Sequence, residues 1–162
     1  MKEVKDELKE TDGSPEVKQK IRQLQNEISQ RSSKQSAALK DVPNASVVIT
    51  NPTHFAVALK YDVGSEDAPT ILALGRGLMA EKIIDLAKEN NVNVFSSPLL
   101  ARALYFTGEI GNEISEKLYS AVAAILAYVF KINQGEEITA PEIEFPKELH
   151  FDEYGNKLDQ GK

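Results

Sequence analysis

The sequence has no cysteine and no tryptophan, and it has only two histidines among 162 residues. Without cysteine the chain can form neither disulfides nor thiolate metal sites, which fits a reducing compartment. His54 and His150 have no nearby pair of carboxylates at the spacing of metal ligands, so we expect neither a metal nor another cofactor. The chain also has no Gly-x-Ser-x-Gly elbow, which removes one common arrangement for nucleophilic catalysis.

Long apolar runs are missing as well. The longest, residues 121–130, is too short to span a bilayer, and the N-terminus is a mixed-charge stretch rather than an apolar secretory signal. The net charge of -6 argues against a general nucleic-acid binder. Residues 135–162 carry 8 acidic and 3 basic side chains and show no apolar period, which predicts a loose acidic tail.

A helix is predicted to begin near the N-terminus. Ser14 is a suitable N-cap, Pro15 suits the first turn, and Glu16 matches the helix dipole. Its apolar residues recur at steps of four, three and four and form one narrow stripe on an otherwise polar rod. A helix of this kind can protrude from a domain. The stripe consists of Val17, Ile21, Leu24 and Ile28.

Further along the chain, strand and helix patterns interleave, which indicates an α/β layered domain. Residues 32–46 are predicted as a helix end and a loop because they are rich in Ser and Lys and include Pro43. Strands are expected at residues 47–49, 55–61, 70–74 and 92–95, and helices at residues 78–90 and 115–132. Ser97-Pro98 is expected to cap a further helix that carries Leu99, Leu100, Ala103 and Leu104. We divide the chain into an N-terminal linker and helix (1–42), a globular domain (43–134) and a flexible acidic tail (135–162).

The dipeptide Asn51-Pro52 has an unusual chemical option. In most sequences the nitrogen of the residue after an asparagine can attack the side-chain amide, but the proline nitrogen carries no hydrogen. The remaining route is attack of the Asn51 side-chain nitrogen on its own main-chain carbonyl. That reaction expels Pro52 and cuts the chain after Asn51.

A carboxamide nitrogen is a poor nucleophile, so the fold must assist it. We expect a turn that brings the side chain close, donors for the developing oxyanion and a base for the amide proton. His54 is the candidate base because imidazole can accept a proton near neutral pH, and Thr53 can help to hold the turn. Asn-Pro is also a common dipeptide in ordinary turns.

Two alternatives use neighbouring residues. Thr53 could be a hydroxyl nucleophile beside His54, although adjacent residues on a strand point to opposite faces. Gly75-Arg76-Gly77 follows a predicted strand and opens a predicted helix, where a dinucleotide-binding loop would lie. The next strand, however, ends at Phe95 without the acidic residue that such a site uses for the ribose.

The chain resembles the cytoplasmic domains of the FlhB/YscU family of flagellar and injectisome export proteins over about residues 3–132. Asn51-Pro52-Thr53-His54 is similar to the family's self-cleavage motif, and residues 55–61 are similar to the strand that follows it. The other matching segments are residues 3–7, 15–18, 98–105, 109–114, 118–119 and 127–129. Residues 98–105 and 109–114 resemble the flagellar members more than the injectisome members.

This resemblance implies a central sheet of about four strands flanked by helices, and one self-cleavage between Asn51 and Pro52. It also implies a switch in export substrate specificity, so the chain would act once on itself rather than as a turnover enzyme. The implied partners are other export-gate components, secreted rod, hook and filament subunits, and a hook-length ruler protein. The implied location is the cytoplasmic face of the bacterial inner membrane, through a membrane-embedded part that precedes this segment. A docking module in which cleavage is incidental stays open.

Overall fold

The computed structural model describes residues 15–52, 54–62 and 64–158, with Arg31 described by its backbone alone. The chain divides into two compact units, residues 1–34 and residues 35–162. Helix α1 (Pro15–Ala38) contains all of the described residues of the first unit. The described part of this helix begins at Pro15, and the predicted N-cap, Ser14, lies outside the described residues. The apolar stripe faces solvent in part, since Ile21, Leu24 and Ile28 are 40%, 58% and 63% exposed.

Residues 32–46 were predicted as a helix end and a loop, and the loop part of this prediction is wrong over most of its length. Helix α1 continues to Ala38, and a 3-10 helix follows from Leu39 to Asn44. Ala38 and Val42 are buried in the core of the second unit. Burial of an apolar face stabilises a helix more than intrinsic propensity does, so the Ser-rich and Lys-rich composition was a poor guide here.

The second unit is built on one mixed sheet of four strands in the order β3-β2-β1-β4. Strand β1 pairs antiparallel with β2 and parallel with β4, and β2 pairs antiparallel with β3. Strand β1 therefore has a partner on each side. The strands are β1 (Val47–Asn51), β2 (Phe55–Lys60), β3 (Thr70–Arg76) and β4 (Val94–Ser96).

Three helices flank the sheet, and a 3-10 turn, Glu116–Leu118, precedes the last of them. The predicted α/β class with about four strands and flanking helices is confirmed, and the elements differ from the predicted ones by a few residues at their ends. The helices are α2 (Leu78–Glu89), α3 (Pro98–Thr107) and α4 (Tyr119–Asn133).

Both faces of the sheet are buried, because both carry apolar side chains that pack against helices. Successive residues of a strand point to opposite faces. Ile49, Phe55 and Val57 belong to a cluster that includes residues of α3 and α4. Val48 and Ala56 belong to a second cluster that includes residues of α2 and the end of α1. Packing on both faces of the sheet thus holds the ends of β1 and β2 in place.

Residues 145–158, expected to be part of a loose tail, make specific contacts with the domain. Phe151 is 8% exposed, and its ring lies 5.7 Å from the ring of Phe106. The Arg102 Nε donates a hydrogen bond of 2.6 Å to the Phe151 carbonyl oxygen. Lys117 Nζ donates one of 2.6 Å to the Glu148 carboxylate. The prediction of a loose tail is wrong for residues 145–158, because single aromatic residues among acidic ones leave no periodic signal.

None of the helices in the described ranges combines the length and the apolar content that crossing a membrane requires.

Candidate functional site

Strands β1 and β2 are joined by a tight hairpin at one end of the sheet. Asn51 ends β1, Phe55 begins β2, and the two lie opposite each other in the antiparallel register. The His54 backbone N–H donates a hydrogen bond of 2.9 Å to the Asn51 carbonyl oxygen, which closes a four-residue turn. The Asn51-Pro52 peptide bond is therefore the first peptide of this turn.

The predicted site residues differ in their exposure to solvent. Asn51 is 8% exposed, whereas Pro52 and His54 are exposed. Thr53 lies outside the described residues, so its predicted role in the turn has no structural description. The hairpin thus combines a buried asparagine with an exposed proline and an exposed imidazole.

The hydrogen bond within the turn has a chemical consequence. Attack on the Asn51 carbonyl carbon would place negative charge on the carbonyl oxygen, and the His54 N–H already points at that oxygen. A fixed donor at this position stabilises the charge as it develops. Sequence reasoning predicted His54 through its side chain, but the donor seen here is its backbone N–H.

An apolar wall lies on the Asn51 side of the sheet. Side chains alternate along a strand, so Asn51 is on the same face as Ile49, which belongs to the cluster under α3 and α4. The ring of Phe55, opposite Asn51, lies 4.9 Å from that of Tyr105 and 5.6 Å from that of Phe106. Low polarity strengthens hydrogen bonds and limits competition from water.

One cation lies close to this wall. Arg76 is opposite Phe55 in the register of β2 and β3, and its guanidinium carbon is 4.9 Å from the centre of the Phe55 ring. A cation over an aromatic face is stabilising by about 0.5–1 kcal/mol at an exposed site. Arg76 therefore helps to hold Phe55 beside the turn.

Two backbone amides outside the hairpin bind the residues that flank it. The Gly77 N–H donates a hydrogen bond of 3.0 Å to the His54 carbonyl oxygen, and the Ser97 N–H donates one of 2.8 Å to the Thr50 carbonyl oxygen. Sequence reasoning did not assign either amide to this site. The only available signal was the unusual glycine pair of residues 75 and 77.

The structure accounts for both glycines without a ligand. A Cβ on Gly75 would collide with the Met79 side chain at the start of α2, so glycine permits close packing of strand and helix. Gly77 has a φ of 60°, which is unfavourable for side-chain-bearing residues. The positions that suggested a dinucleotide loop are explained by the strand-to-helix turn.

Within the described ranges, no group of three or more His, Asp or Glu side chains is arranged to hold a metal ion.

A cleft of the second unit lies away from the hairpin. It has a volume of about 1010 Å³ and is lined by Ser46 before β1, Tyr61 after β2, and α4 residues that include Ala127 and Phe130. Because β1 runs from Val47 to Asn51, the cleft is at the opposite end of this strand from the Asn-Pro bond. Chemistry at the hairpin and binding in the cleft would occupy separate regions.

The fold matches cytoplasmic and C-terminal domains of bacterial proteins with solved structures. The cytoplasmic domain of FlhB from Shewanella putrefaciens aligns with a TM-score of 0.66 and 40% identity, covering 72% of this chain and 95% of that one. The C-terminal domain of EscU, in a variant with an Asn-to-Asp substitution, aligns with a TM-score of 0.54 and 28% identity, covering 57% of this chain and 98% of that one.

Residues 1–129 match the FlhB HrpN YscU SpaS family, and the chain belongs to this family. It is 42% identical over 155 residues to the flagellar biosynthetic protein FlhB of Salmonella typhimurium, covering 92% of this chain and 39% of that protein. It is 46% identical over 128 residues to FlhB of Aquifex aeolicus, covering 79% of this chain and 35% of that protein. The chain thus spans well under half the length of these relatives.

Proposed function

We propose that this chain is the cytoplasmic domain of a flagellar type III export-gate protein, and that it cuts itself once between Asn51 and Pro52. The observation that carries the proposal is the turn itself. The asparagine before a proline ends an inner strand, and its carbonyl oxygen accepts the His54 N–H at 2.9 Å. Membership in the FlhB family supports the assignment to an export gate.

The cut is a cyclisation in which all atoms are conserved. The Asn51 Nδ2 forms a bond to the Asn51 main-chain carbonyl carbon, and the bond from that carbon to the Pro52 nitrogen breaks. A proton leaves Nδ2, and the departing Pro52 nitrogen takes up a proton and becomes the new N-terminus. The first product ends in a cyclic imide, which water then opens.

The residues of the turn have separate roles in this proposal. Pro52 blocks the competing ring closure because its nitrogen has no hydrogen. The His54 N–H stabilises the oxyanion, and its imidazole accepts or relays the amide proton from the solvent side. Thr53 helps to hold the turn. The event happens once per chain, so the protein is not a turnover enzyme.

The two pieces, residues 1–51 and 52–162, are expected to stay together. Strand β1 belongs to the first piece, and both of its neighbours, β2 and β4, belong to the second. Val47, Val48 and Ile49 are fully buried between the layers. The cut therefore frees the turn while the sheet persists, and we propose that this local change switches export from rod and hook subunits to filament subunits.

The partners proposed for the whole protein are other export-gate components, secreted subunits and the hook-length ruler protein. The proposed location is the cytoplasmic face of the inner membrane, through a part of the whole protein outside the segment that matches its longer relatives. Both statements rest on the family and not on contacts within this domain.

Intact mass under denaturing conditions tests the cleavage. The wild-type chain should convert into two pieces, and the first should initially be lighter by one water than residues 1–51 ending in a free acid. Asn51→Ala removes the nucleophile and should stay whole. Asn44→Ala, an exposed asparagine of the same piece, should cleave normally. Two pieces from Asn51→Ala would rule out the cyclisation.

The imidazole is tested separately. His54→Ala keeps the backbone N–H and removes the side chain, so we expect cleavage that is slower by about a hundredfold, at the lower end of the range for loss of a general base. An unchanged time course would remove the imidazole from the mechanism. Mixing active protein with a chain that carries His54→Ala should not accelerate cutting of that chain, because the reaction is intramolecular.

A second candidate function is a docking module for export substrates, and the cleft at the far end of β1 favours it. The cleft is large enough to hold a short peptide segment, and it mixes apolar with polar lining residues. Ala127→Glu would place a charge in the cleft, and Ala140→Glu would place one on the exposed tail. Loss of export with Ala127→Glu alone, with cleavage intact, would support docking; normal switching by an uncut Asn51→Ala chain would show that cleavage is incidental.

A further inference from the structure

The hairpin is held from two directions by the N-terminal ends of helices on opposite faces of the sheet. The residue before α2, Gly77, donates its backbone N–H to the His54 carbonyl at 3.0 Å, and the residue before α3, Ser97, donates its N–H to the Thr50 carbonyl at 2.8 Å. Thr50 and His54 are the residues on either side of the Asn51-Pro52-Thr53 segment. Each side of the turn is thus hydrogen bonded to the residue that precedes a different helix.

Gly77 has a backbone conformation that explains why glycine is required. Its φ of 60° and ψ of -128° lie outside the regions that L-residues with a side chain favour. A Cβ at this position would meet no atom within 4 Å, so packing space is not the constraint. The constraint is the direction of the N–H group, which this conformation points at the His54 carbonyl.

We propose that the Gly77 and Ser97 amides are a two-point clamp that positions the scissile turn, with Gly77 as the positioning residue whose geometry matters most. The clamp fixes His54 at its carbonyl, so that the N–H of the same residue stays on the Asn51 carbonyl oxygen. This inference rests on the proposed self-cleavage. It assigns the glycine motif of β3 and α2 to that reaction instead of to a nucleotide.

The size of the effect follows from how catalytic donors depend on position. Loss of a single oxyanion donor costs about a hundredfold to a thousandfold in rate, and a misplacement of about 1 Å can cost about a hundredfold. A weakened clamp shifts His54 without removing its N–H. We therefore expect cleavage to be slower by about tenfold to a hundredfold.

Replacing Gly77 by L-alanine or by D-alanine gives two variants that differ only in the chirality of one residue. Gly77→Ala introduces an L-residue that disfavours a positive φ, whereas a D-alanine in place of Gly77, installed by chemical ligation, favours that φ and keeps the same atoms. Gly135→Ala is a control for strain alone, because Gly135 also has a positive φ and an open Cβ position but lies after α4. Each chain is refolded from denaturant to start the reaction, and cleavage is followed by intact mass below the unfolding temperature of every variant.

The clamp has a signature that general destabilisation does not produce. In an uncut Asn51→Ala background, the His54 amide proton should exchange slowly with solvent because it is hydrogen bonded to the carbonyl of residue 51. Gly77→Ala should accelerate exchange of this proton at least tenfold. Neither the D-alanine chain nor Gly135→Ala should change it relative to neighbouring amides of β2.

Slow cleavage and fast His54 exchange with L-alanine, both restored by D-alanine, would support the clamp. Equal cleavage rates for the L- and D-alanine chains would overturn it, and so would an exchange rate of the His54 amide proton that does not change with the residue at position 77. If the wild-type chain never cleaves, the proposed function fails, and the exchange measurement alone then decides whether Gly77 holds the turn.

Discussion

Ile49→Ala should separate the two pieces after cleavage, because β1 is the main noncovalent attachment of residues 1–51 to the rest of the domain. Ile49 is fully buried in the cluster with Phe55 and Leu100. Truncating a buried isoleucine to alanine costs about 2–5 kcal/mol. In the uncut chain this loss appears as lower stability, whereas in the cut chain it appears as weaker association.

The free energy lost with Ile49→Ala is large compared with the net free energy that holds residues 1–51 in the complex. Val42, Val47, Val48 and Ile49 are fully buried, and burial of such side chains contributes about 1.5–3 kcal/mol each. Association of two chains costs about 4–15 kcal/mol in lost freedom, so the net affinity is a small difference. A loss of 2–5 kcal/mol weakens association by roughly 30-fold to 4000-fold.

Gel filtration of fully cleaved protein at falling concentration measures this effect. The pieces should be detected by mass spectrometry, because every Tyr and Phe of the chain follows residue 51 and the first piece does not absorb at 280 nm. Wild-type pieces should coelute at dilutions where Ile49→Ala pieces have separated. The same substitution in an uncut Asn51→Ala chain should lower stability without releasing a piece.

Leu24→Ala is the matched control within the same piece. Leu24 is 58% exposed, and substitutions at exposed positions usually change stability by less than about 0.5 kcal/mol. Its dissociation midpoint should equal that of the wild type. Coelution of Ile49→Ala pieces down to the wild-type midpoint would refute the reasoning that β1 burial holds the complex.

Two further predictions concern the turn and the tail. Pro52→Ala gives the residue after Asn51 an N–H, so attack on the side-chain amide becomes available; we expect slower cleavage and deamidated full-length chain by peptide mapping, and cleavage at the wild-type rate would contradict the role of Pro52. The hydrogen bond from Lys117 holds the pKa of Glu148 below its ordinary value of 4.5. A lowered folded-state pKa stabilises the folded contact above pH 4.5 and loses that contribution as pH falls through the lowered value. The protection of the amides near Leu149, measured as the ratio of the intrinsic to the observed exchange rate, should therefore fall in acid, and Glu148→Gln should remove this dependence.

Sequence patterns predicted the sheet well where burial and periodicity agree. The expected strand at residues 47–49 is an unbroken apolar run, which is typical of a strand buried on both faces, and all three residues are fully buried. The expected strand that starts at Phe55 alternates between large and small residues, and its large residues form one apolar face of β2. Its small residues, Ala56 and Ala58, are buried too, because their size lets α2 pack close to the sheet.

The chemistry of the candidate site could be predicted from the sequence, but the backbone hydrogen bonds that hold the hairpin could not. The cyclisation of Asn51 follows from the covalent structure of the Asn51-Pro52 pair alone. The amides of Gly77 and Ser97 reach the hairpin through hydrogen bonds between backbone groups far apart in the chain, and side-chain patterns carry no information about such pairs. The tail shows the same limit, since the contacts of Phe151 depend on a partner, Phe106, that no local pattern indicates.

The inner position of β1 has a mechanical consequence once the chain is cut. The polypeptide that contains α1 would then end at Asn51, and the hydrogen bonds of β1 to β2 and β4, together with the burial of its apolar side chains, would resist tension along it. A pull along the strand loads these bonds in shear, so that they share the force and fail together. The nicked domain would withstand steady traction applied through α1, yet the first piece would separate from it as a whole above a threshold force.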